Sequence, residues 1–326
     1  MSQMKTVSSS PHIRANISTS SIMRDVCIAL LPALICSVIL FGVRALFLTV
    51  LSVVFCVLFE YLWQKVLKKP VTVSDGTAMV TGMLLAFNLP VTAPWWMVPI
   101  GAFVAIIIAK QFFGGVGNNF INPALAGRAF LLASWPMLMT RWADPFTTGF
   151  FISEDLISTA TPLAILDNPE IGALPNLMST IAGNVSGCIG ETSAIALALG
   201  GIYLVARKVI SPRIPVTYIL TVAVLAFIFP NGGYGAVESV LYNVFSGGLF
   251  LGAIFMATDY ATTPMTAKGQ IIMALGCGVI TFVIRRFGGY PEGVSYAIML
   301  MNVATPLIDR WTEPTPYGVT KKKGGK

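Results

Sequence analysis

The sequence predicts an all-α polytopic membrane protein, and three observations predict it. Charge is scarce, with 11% of the 326 residues Asp, Glu, Lys or Arg and 55% hydrophobic, where soluble domains carry about a quarter charged. Mean hydropathy is +0.78. Long stretches lack charge altogether, at 26–43, 76–109, 214–237, 239–258 and 269–284. Most are near the roughly 20 residues that a helix needs to cross the hydrocarbon core. Lipid offers no partner for a backbone N–H or C=O, so repeated apolar runs of this length must be helices.

In chain order, a polar cytoplasmic arm comes first, residues 1–21, with Lys5, His12 and Arg14 and no cleavable signal pattern. About ten membrane helices follow, near 25–43, 45–63, 74–89, 95–113, 121–140, 180–205, 214–230, 239–258, 269–286 and 292–308. They divide into a first transmembrane half (22–140), an extracytoplasmic loop (141–180), a second half (181–310) and a basic cytoplasmic tail (311–326). With both termini in the cytoplasm, 16 Lys and Arg fall inside and four fall outside: Arg44, Arg141, Arg285 and Arg286. Arg128 lies within the fifth helix. That asymmetry obeys the positive-inside rule. It also explains the net charge of +7 as anchorage to lipid headgroups, with no nucleic acid implied.

The halves echo one another. Phe113-Gly114-Gly115 is matched by Phe287-Gly288-Gly289, and Gly82-Met83-Leu84-Leu85-Ala86 more loosely by Gly252-Ala253-Ile254-Phe255-Met256. Five spans per half would make a 5+5 inverted repeat, a plan common in transport folds, although glycine-rich patches also recur by chance. Asn88-Leu89-Pro90 and Pro94 interrupt the third helix, and Asp259 to Pro264 ends the eighth. These are candidate broken helices, because irregular backbone at membrane depth needs protein or a cavity around it. Ordinary surface loops are the other reading.

Chemistry-bearing residues are few. Cys27, Cys36, Cys56, Cys188 and Cys277 are scattered in apolar runs without a CxxC, so they read as small buried hydrophobes and no metal site is expected. His12 reads as a surface or contact residue, and Trp95 and Trp96 as belt residues. Glu60, Asp75, Glu191 and Asp259 lie in or at the rim of membrane segments. Ionisable groups are costly there and are functional candidates, although Glu60 and Asp75 also suit an interface. Asp259, Glu191 and Asp75 are the ion-pathway candidates. Thr258 and Thr262 beside Asp259, and Thr192 and Ser193 beside Glu191, could complete oxygen cages. The same carboxylates would serve a proton as well as Na⁺. Arg128 could pair with a carboxylate or with a phosphate. The hydroxyl run Ser158-Thr159-Ala160-Thr161-Pro162 in the long acidic loop is ordinary turn punctuation on one reading.

A second reading comes from a resemblance. Ser10-Pro11-His12-Ile13, Ile22-Met23-Arg24-Asp25-Val26, Ser74-Asp75-Gly76, Asn119-Phe120-Ile121-Asn122-Pro123-Ala124, Gly190-Glu191-Thr192-Ser193-Ala194 and Asp259-Tyr260-Ala261-Thr262-Thr263-Pro264 are similar to the D subunit of Rnf-type electron transport complexes. The match runs over about 10–310, and the B subunit of the Na⁺-translocating NADH:quinone reductase is more distantly similar. The resemblance implies membership of a ferredoxin:NAD⁺ oxidoreductase complex in the prokaryotic inner membrane that translocates Na⁺ or H⁺. It implies FMN in phosphoester linkage to Thr161, installed by an exported flavin transferase, and a second, non-covalent riboflavin by analogy with the quinone reductase. Ser158 and Thr159 would bond the phosphate, with Arg128 a further candidate. Implied partners are a flavinylated G subunit, cytoplasmic C and B subunits, and membrane A and E subunits. The usual attachment sequence is Ser-Gly-Ala-Thr, and Thr159 stands here in place of its glycine. The rival is a solute channel or transporter of the same repeat architecture without a redox role.

Overall fold

The computed structural model describes residues 18–147, 159–191, 193–288 and 292–314. His12, Ser158, Thr192 and the lysine-rich tail lie outside the described residues. Within them every regular element is helical, and the only β-type pairing is an isolated bridge between Pro90 and Cys188.

Local chemistry sets most of the boundaries. The Ser18 hydroxyl accepts from the Ser21 N–H and starts α1 (Thr19–Phe41). Gly42, at φ 71°, ends it and turns the chain into α2 (Val43–Val66). A short α3 (Thr77–Phe87) stops at the predicted Asn88-Leu89-Pro90 break, and α4 (Met97–Gln111) follows, wound as a π-helix over Val104–Gln111. The Asn122 side chain caps α5 (Pro123–Ser134), whose first residue is proline, the one residue with no N–H to leave unpaired. A single turn, α6 (Pro136–Met139), follows. The loop then carries α7 (Pro162–Asp167) and α8 (Leu177–Ala182). The second half comprises α9 (Ala194–Ala206), α10 (Arg213–Ile228), α11 (Ala236–Phe245), α12 (Leu249–Met256), α13 (Ala267–Phe287) and α14 (Val294–Thr312).

Of these, α1, α2 and α13 are long and apolar enough to cross a membrane singly, and α11 with α12, bent by 59° at the break between them, are long and apolar enough together for a broken span or a re-entrant loop. Outward-facing Ile35, Ile39, Val54, Leu220 and Val224 are more than half exposed, as lipid-facing side chains would be. The eighth segment is thus broken, at Ser246–Gly248, and the third ends early. The two sequence echoes are less informative. Gly114 is left-handed at φ 113° whereas Gly288 is extended, and Gly82 packs on the α2 backbone at Val53 while Gly252 packs on Val294.

Long-range hydrogen bonds sort the helix ends into two groups. At one end the Arg44 guanidinium donates to the carbonyls of Val91 and Ala93, Thr92 to Arg141 O, Phe146 N to Leu40 O and Thr159 N to Trp142 O. At the other, Arg207 pairs with Asp25 at 3.3 Å, Ser20 donates to Ser74 O and Thr266 to Thr312. These are the ends assigned above to the outside and to the cytoplasm.

One predicted helix is corrected. The segment expected near 180–205 is helical only as α8 and α9, with an irregular stretch from Gly183 to Ser193 between them. Gly183, at φ 95°, ends α8. The following loop folds back so that Ile189 N and Gly190 N donate to the carbonyls of Leu89 and Phe87 at the tip of α3. Loop backbone can run here because its polar groups meet those freed by the break in α3. Gly190 is required at this approach, since a Cβ would overlap the Phe87 side chain.

Candidate functional site

Three polar groupings among the described residues bear on function. The first lies at the Thr161 end. Arg128, 4% exposed on α5, donates to Asn88 Oδ1 (3.0 Å) and Ser295 Oγ (2.7 Å), and pairs directly with Glu292. Its second carboxylate neighbour is Glu191, at 4.0 Å. The Cys188 thiol donates to Asn88 O at 3.4 Å and lies 3.7 Å from Glu292 Oε1. Three separate stretches of chain, at 88, 188–191 and 292–295, therefore converge on one guanidinium, the first of them the broken tip of α3. Cys188, Glu191 and Glu292 offer ligand atoms within 4.8 Å of one another, but the guanidinium sits among them and opposes a metal ion.

Above this cluster Thr161 caps α7, its Oγ1 accepting from Ala164 N at 3.3 Å, with Pro162 as the first helical residue. It is 8% exposed and lines a cleft of about 20 Å³ together with Ser186, Gly187, Glu191, Gly247 and Glu292. A void of that size holds about one water, so a flavin on Thr161 would lie outward from the cleft. The residues fit a tether, not an enclosing pocket. The Thr159 hydroxyl is committed elsewhere, to Asp144 Oδ1 (3.0 Å) and Ser186 Oγ (2.7 Å). It pins the tether loop to 141–147 where the sequence suggested a phosphate contact. At the far end of α7 the Asp167 carboxyl accepts from Asn231 Nδ2 at 2.7 Å. Burial raises its pKa above the usual carboxylate range, and Arg286 and Arg285 oppose that rise.

The second constellation was not anticipated. Glu60, fully buried on α2, accepts from Lys110 Nζ (2.8 Å) and Gln111 Nε2 (2.9 Å), and Lys110 also donates to Thr77 Oγ1 at 2.8 Å. Lys110 is one of the sixteen cations placed on the cytoplasmic side and Glu60 one of the carboxylates in or at the rim of a membrane segment; both are buried within the protein. The Asp75 carboxylate accepts from the Thr77 N–H and hydroxyl at 2.8 and 2.6 Å, so it starts α3 and steadies the Lys110 partner. Replacing Lys110 by Met should cost about 3–5 kcal/mol by leaving Glu60 charged and unpaired. The double variant Glu60→Gln/Lys110→Met should recover most of that loss, as thermal unfolding in detergent would measure.

The third is a cavity of about 620 Å³ at the opposite end from Thr161, with Thr77, Lys110, Asn119, Asn122, Asp259 and Asp309 among its lining residues. Its volume falls in the range that encloses a cofactor-sized ligand. Asp259 accepts from the Thr262 hydroxyl at 3.3 Å, and Thr258 donates to Ile254 O, which leaves its oxygen lone pairs free. Ser193 Oγ accepts from Ala196 N as the cap of α9, and Thr192 lies outside the described residues.

Arg128 thus resolves toward carboxylates, one of them missed by sequence reasoning. Glu292 sits in a short polar interval between two apolar runs and resembles a surface loop residue. Its only signal is that it is the sole carboxylate immediately before the last helix.

Comparison with known proteins adds a family. Residues 6–318 match the model of the NQR2, RnfD, RnfE family. The chain is 55% identical over 320 residues to the D subunit of the Na(+)-translocating ferredoxin:NAD(+) oxidoreductase complex of Acetobacterium woodii, covering 98% of this chain and 96% of that one. It is 46% identical to the D subunit of the proton-translocating ferredoxin:NAD(+) oxidoreductase complex of Clostridium ljungdahlii, covering 97% of each. It is 37% identical to the D subunit of the ion-translocating oxidoreductase complex of Halorhodospira halophila, covering 95% of each.

Proposed function

The chain belongs to the NQR2, RnfD, RnfE family, and on that premise we propose that it is the D subunit of an ion-translocating ferredoxin:NAD⁺ oxidoreductase, carrying electrons on FMN esterified to Thr161. It would act as one subunit of the complex and would not be catalytic alone. Flavin supplies one- and two-electron chemistry that no side chain has, and the protein supplies position and electrostatics. The observation that carries the reading is the placement of Thr161: its hydroxyl is held by a helix cap at the mouth of a cleft, at the end of the molecule assigned to the outside. A channel has no need of a tetherable threonine there.

Ten crossings in a 5+5 inverted repeat, in the inner membrane with both termini cytoplasmic, agree with the sorted helix ends and with the breaks in the third and eighth segments. The cavity at the opposite end would hold a second, non-covalent flavin such as riboflavin, with Lys110 and Asn119 to meet its polar edge. Asp259 in that cavity, Glu191 near Thr161 and Asp75 before α3 remain the ion-pathway candidates. The relatives are named for sodium in one case and for protons in another, so family membership does not choose the ion. Partners would be the G, C, B, A and E subunits and the flavin transferase.

The function is tested by denaturing the chain isolated from its native host and illuminating it in the gel. Retained flavin fluorescence is expected; a dark band would favour the channel. Sidedness has its own test in a background lacking the five native cysteines. A cysteine placed near Ile171 should react with a membrane-impermeant thiol reagent in intact cells, and one beside Lys322 only after lysis. The reverse pattern would put Thr161 out of reach of an exported transferase.

A further inference from the structure

Only a thin septum separates the cleft at Thr161 from the cavity at the opposite end. Asn122, Pro123 and Ala124, at the head of α5, line the cavity. Arg128, one turn further along the same helix, pairs directly with Glu292, which lines the cleft. The helix rises about 6 Å from Ala124 to Arg128, against a hydrocarbon core of about 30 Å.

A line of buried polar groups crosses this septum. From the cavity, Asn122 Nδ2 donates to Met256 O at 3.3 Å. Asn88 Nδ2 lies 3.7 Å from Met256 Sδ, and Asn88 Oδ1 accepts from Arg128 at 3.0 Å. Arg128 leads on to Glu292 and, at 4.0 Å, to Glu191. Asn122, Asn88 and Arg128 are all buried, and the core around them is apolar.

Carboxylates stand at both ends of this thread: Asp259 and Asp309 line the cavity, and Glu191 and Glu292 line the cleft. Amide and carbonyl oxygens lie between them, and hard cations bind oxygens of these kinds. The one feature of the thread that repels a cation is the Arg128 guanidinium. It is held by Asn88, Ser295 and Glu292, and its Nε–H has no acceptor, so its neighbours do not saturate it. Lys110 also lines the cavity but is paired with Glu60. Arg285 binds the carbonyls of Asn243, Ser246 and Glu292, and so meets the thread only at its outer end. Apolar side chains of the same volume commonly stabilise a core as well as a buried ion pair does, so stability alone does not account for a charge here. A fixed guanidinium in a narrow passage is a barrier to cations and protons.

We propose that Arg128 is an electrostatic plug that stops small cations from leaking through this subunit between the cavity and the cleft. Asp259 and Glu191 then lie on opposite sides of a closed barrier, and an ion at one reaches the other only when the plug moves. A subunit of a complex that builds an ion gradient must not dissipate it. The plug acts by fixed charge alone and does not depend on whether Thr161 carries a flavin.

Passive flux of radiolabelled sodium and chloride from sealed vesicles holding the purified, unreduced complex tests this. Arg128→Gln/Glu292→Gln removes the ion pair but keeps hydrogen-bonding groups in its place. Sodium flux should rise at least about tenfold over the wild type, the low end of what a local field does to counter-ion concentration, while chloride flux stays at the wild-type level. Unchanged sodium flux would mean that apolar packing alone seals the septum, and would overturn the proposal. Equal gains for sodium and chloride would reveal an unselective hole and overturn it as well. Glu292→Gln alone keeps the guanidinium and should stay tight; a sodium leak there would refute the role of Arg128. If the double variant fails to assemble, Asn88→Asp serves, because it keeps the volume and sets a carboxylate against the guanidinium. A sodium-selective leak in that variant supports the plug, and any other result refutes it.

Discussion

Arg128→Met should leave little folded protein. The substitution strands Glu292 and Glu191 as buried carboxylates and strips donors from Asn88 and Ser295. Breaking a buried pair by removing one partner costs about 3–5 kcal/mol, a large share of the roughly 5–15 kcal/mol that holds a typical domain together. The expected result is a sharply lowered melting temperature and loss of the monodisperse peak in detergent. Arg128→Lys should be nearly as damaging, because one ammonium cannot reach the divergent acceptors that a guanidinium serves. Pairing Arg128→Met with Glu292→Gln should restore part of the yield. Full stability in Arg128→Met alone would mean that the network does not organise this end of the fold.

Thr161→Val should do the opposite, leaving the fold and removing the function. The lost hydroxyl is a cap on a helix of six residues, worth about 1 kcal/mol, so the chain should still insert and assemble. Covalent flavin should vanish completely, and electron transfer through the complex should fall to background. Thr161→Ser keeps both the cap and an esterifiable oxygen and should retain flavin. Undiminished electron transfer in the Val variant would detach Thr161 from the redox path.

How much of this was legible in the sequence differs from residue to residue. Apolar runs announced the long helices, and Asn88-Leu89-Pro90 marked the end of α3, because those residues act through local backbone geometry. The stretch 183–193 reads GNVSGCIGETS, and its three glycines and five polar residues were a local sign of a break that one helix near 180–205 passed over; its pairing with the tip of α3 is a long-range event with no local signature. Lys110 and Glu60 misled for a related reason. Each reads as an interface charge when taken alone, and only the packing of α2 against α4 brings them to 2.8 Å. The ion-site candidates fared unevenly. Glu191 was marked by its intramembrane charge and does sit in a polar cluster, but its neighbours Arg128 and Glu292 come from distant stretches of the chain. Asp75 was marked by the same rule and accepts from the Thr77 N–H and hydroxyl just before α3.

The central claim is that the chain carries an electron on a flavin at Thr161, and peptide mapping after intact-mass measurement tests it most directly. Purified after expression with the flavin transferase, the chain should exceed its polypeptide mass by FMN less one water. The whole increment should map to the peptide containing Thr161. An unmodified mass, or an increment on a different peptide, would contradict the account.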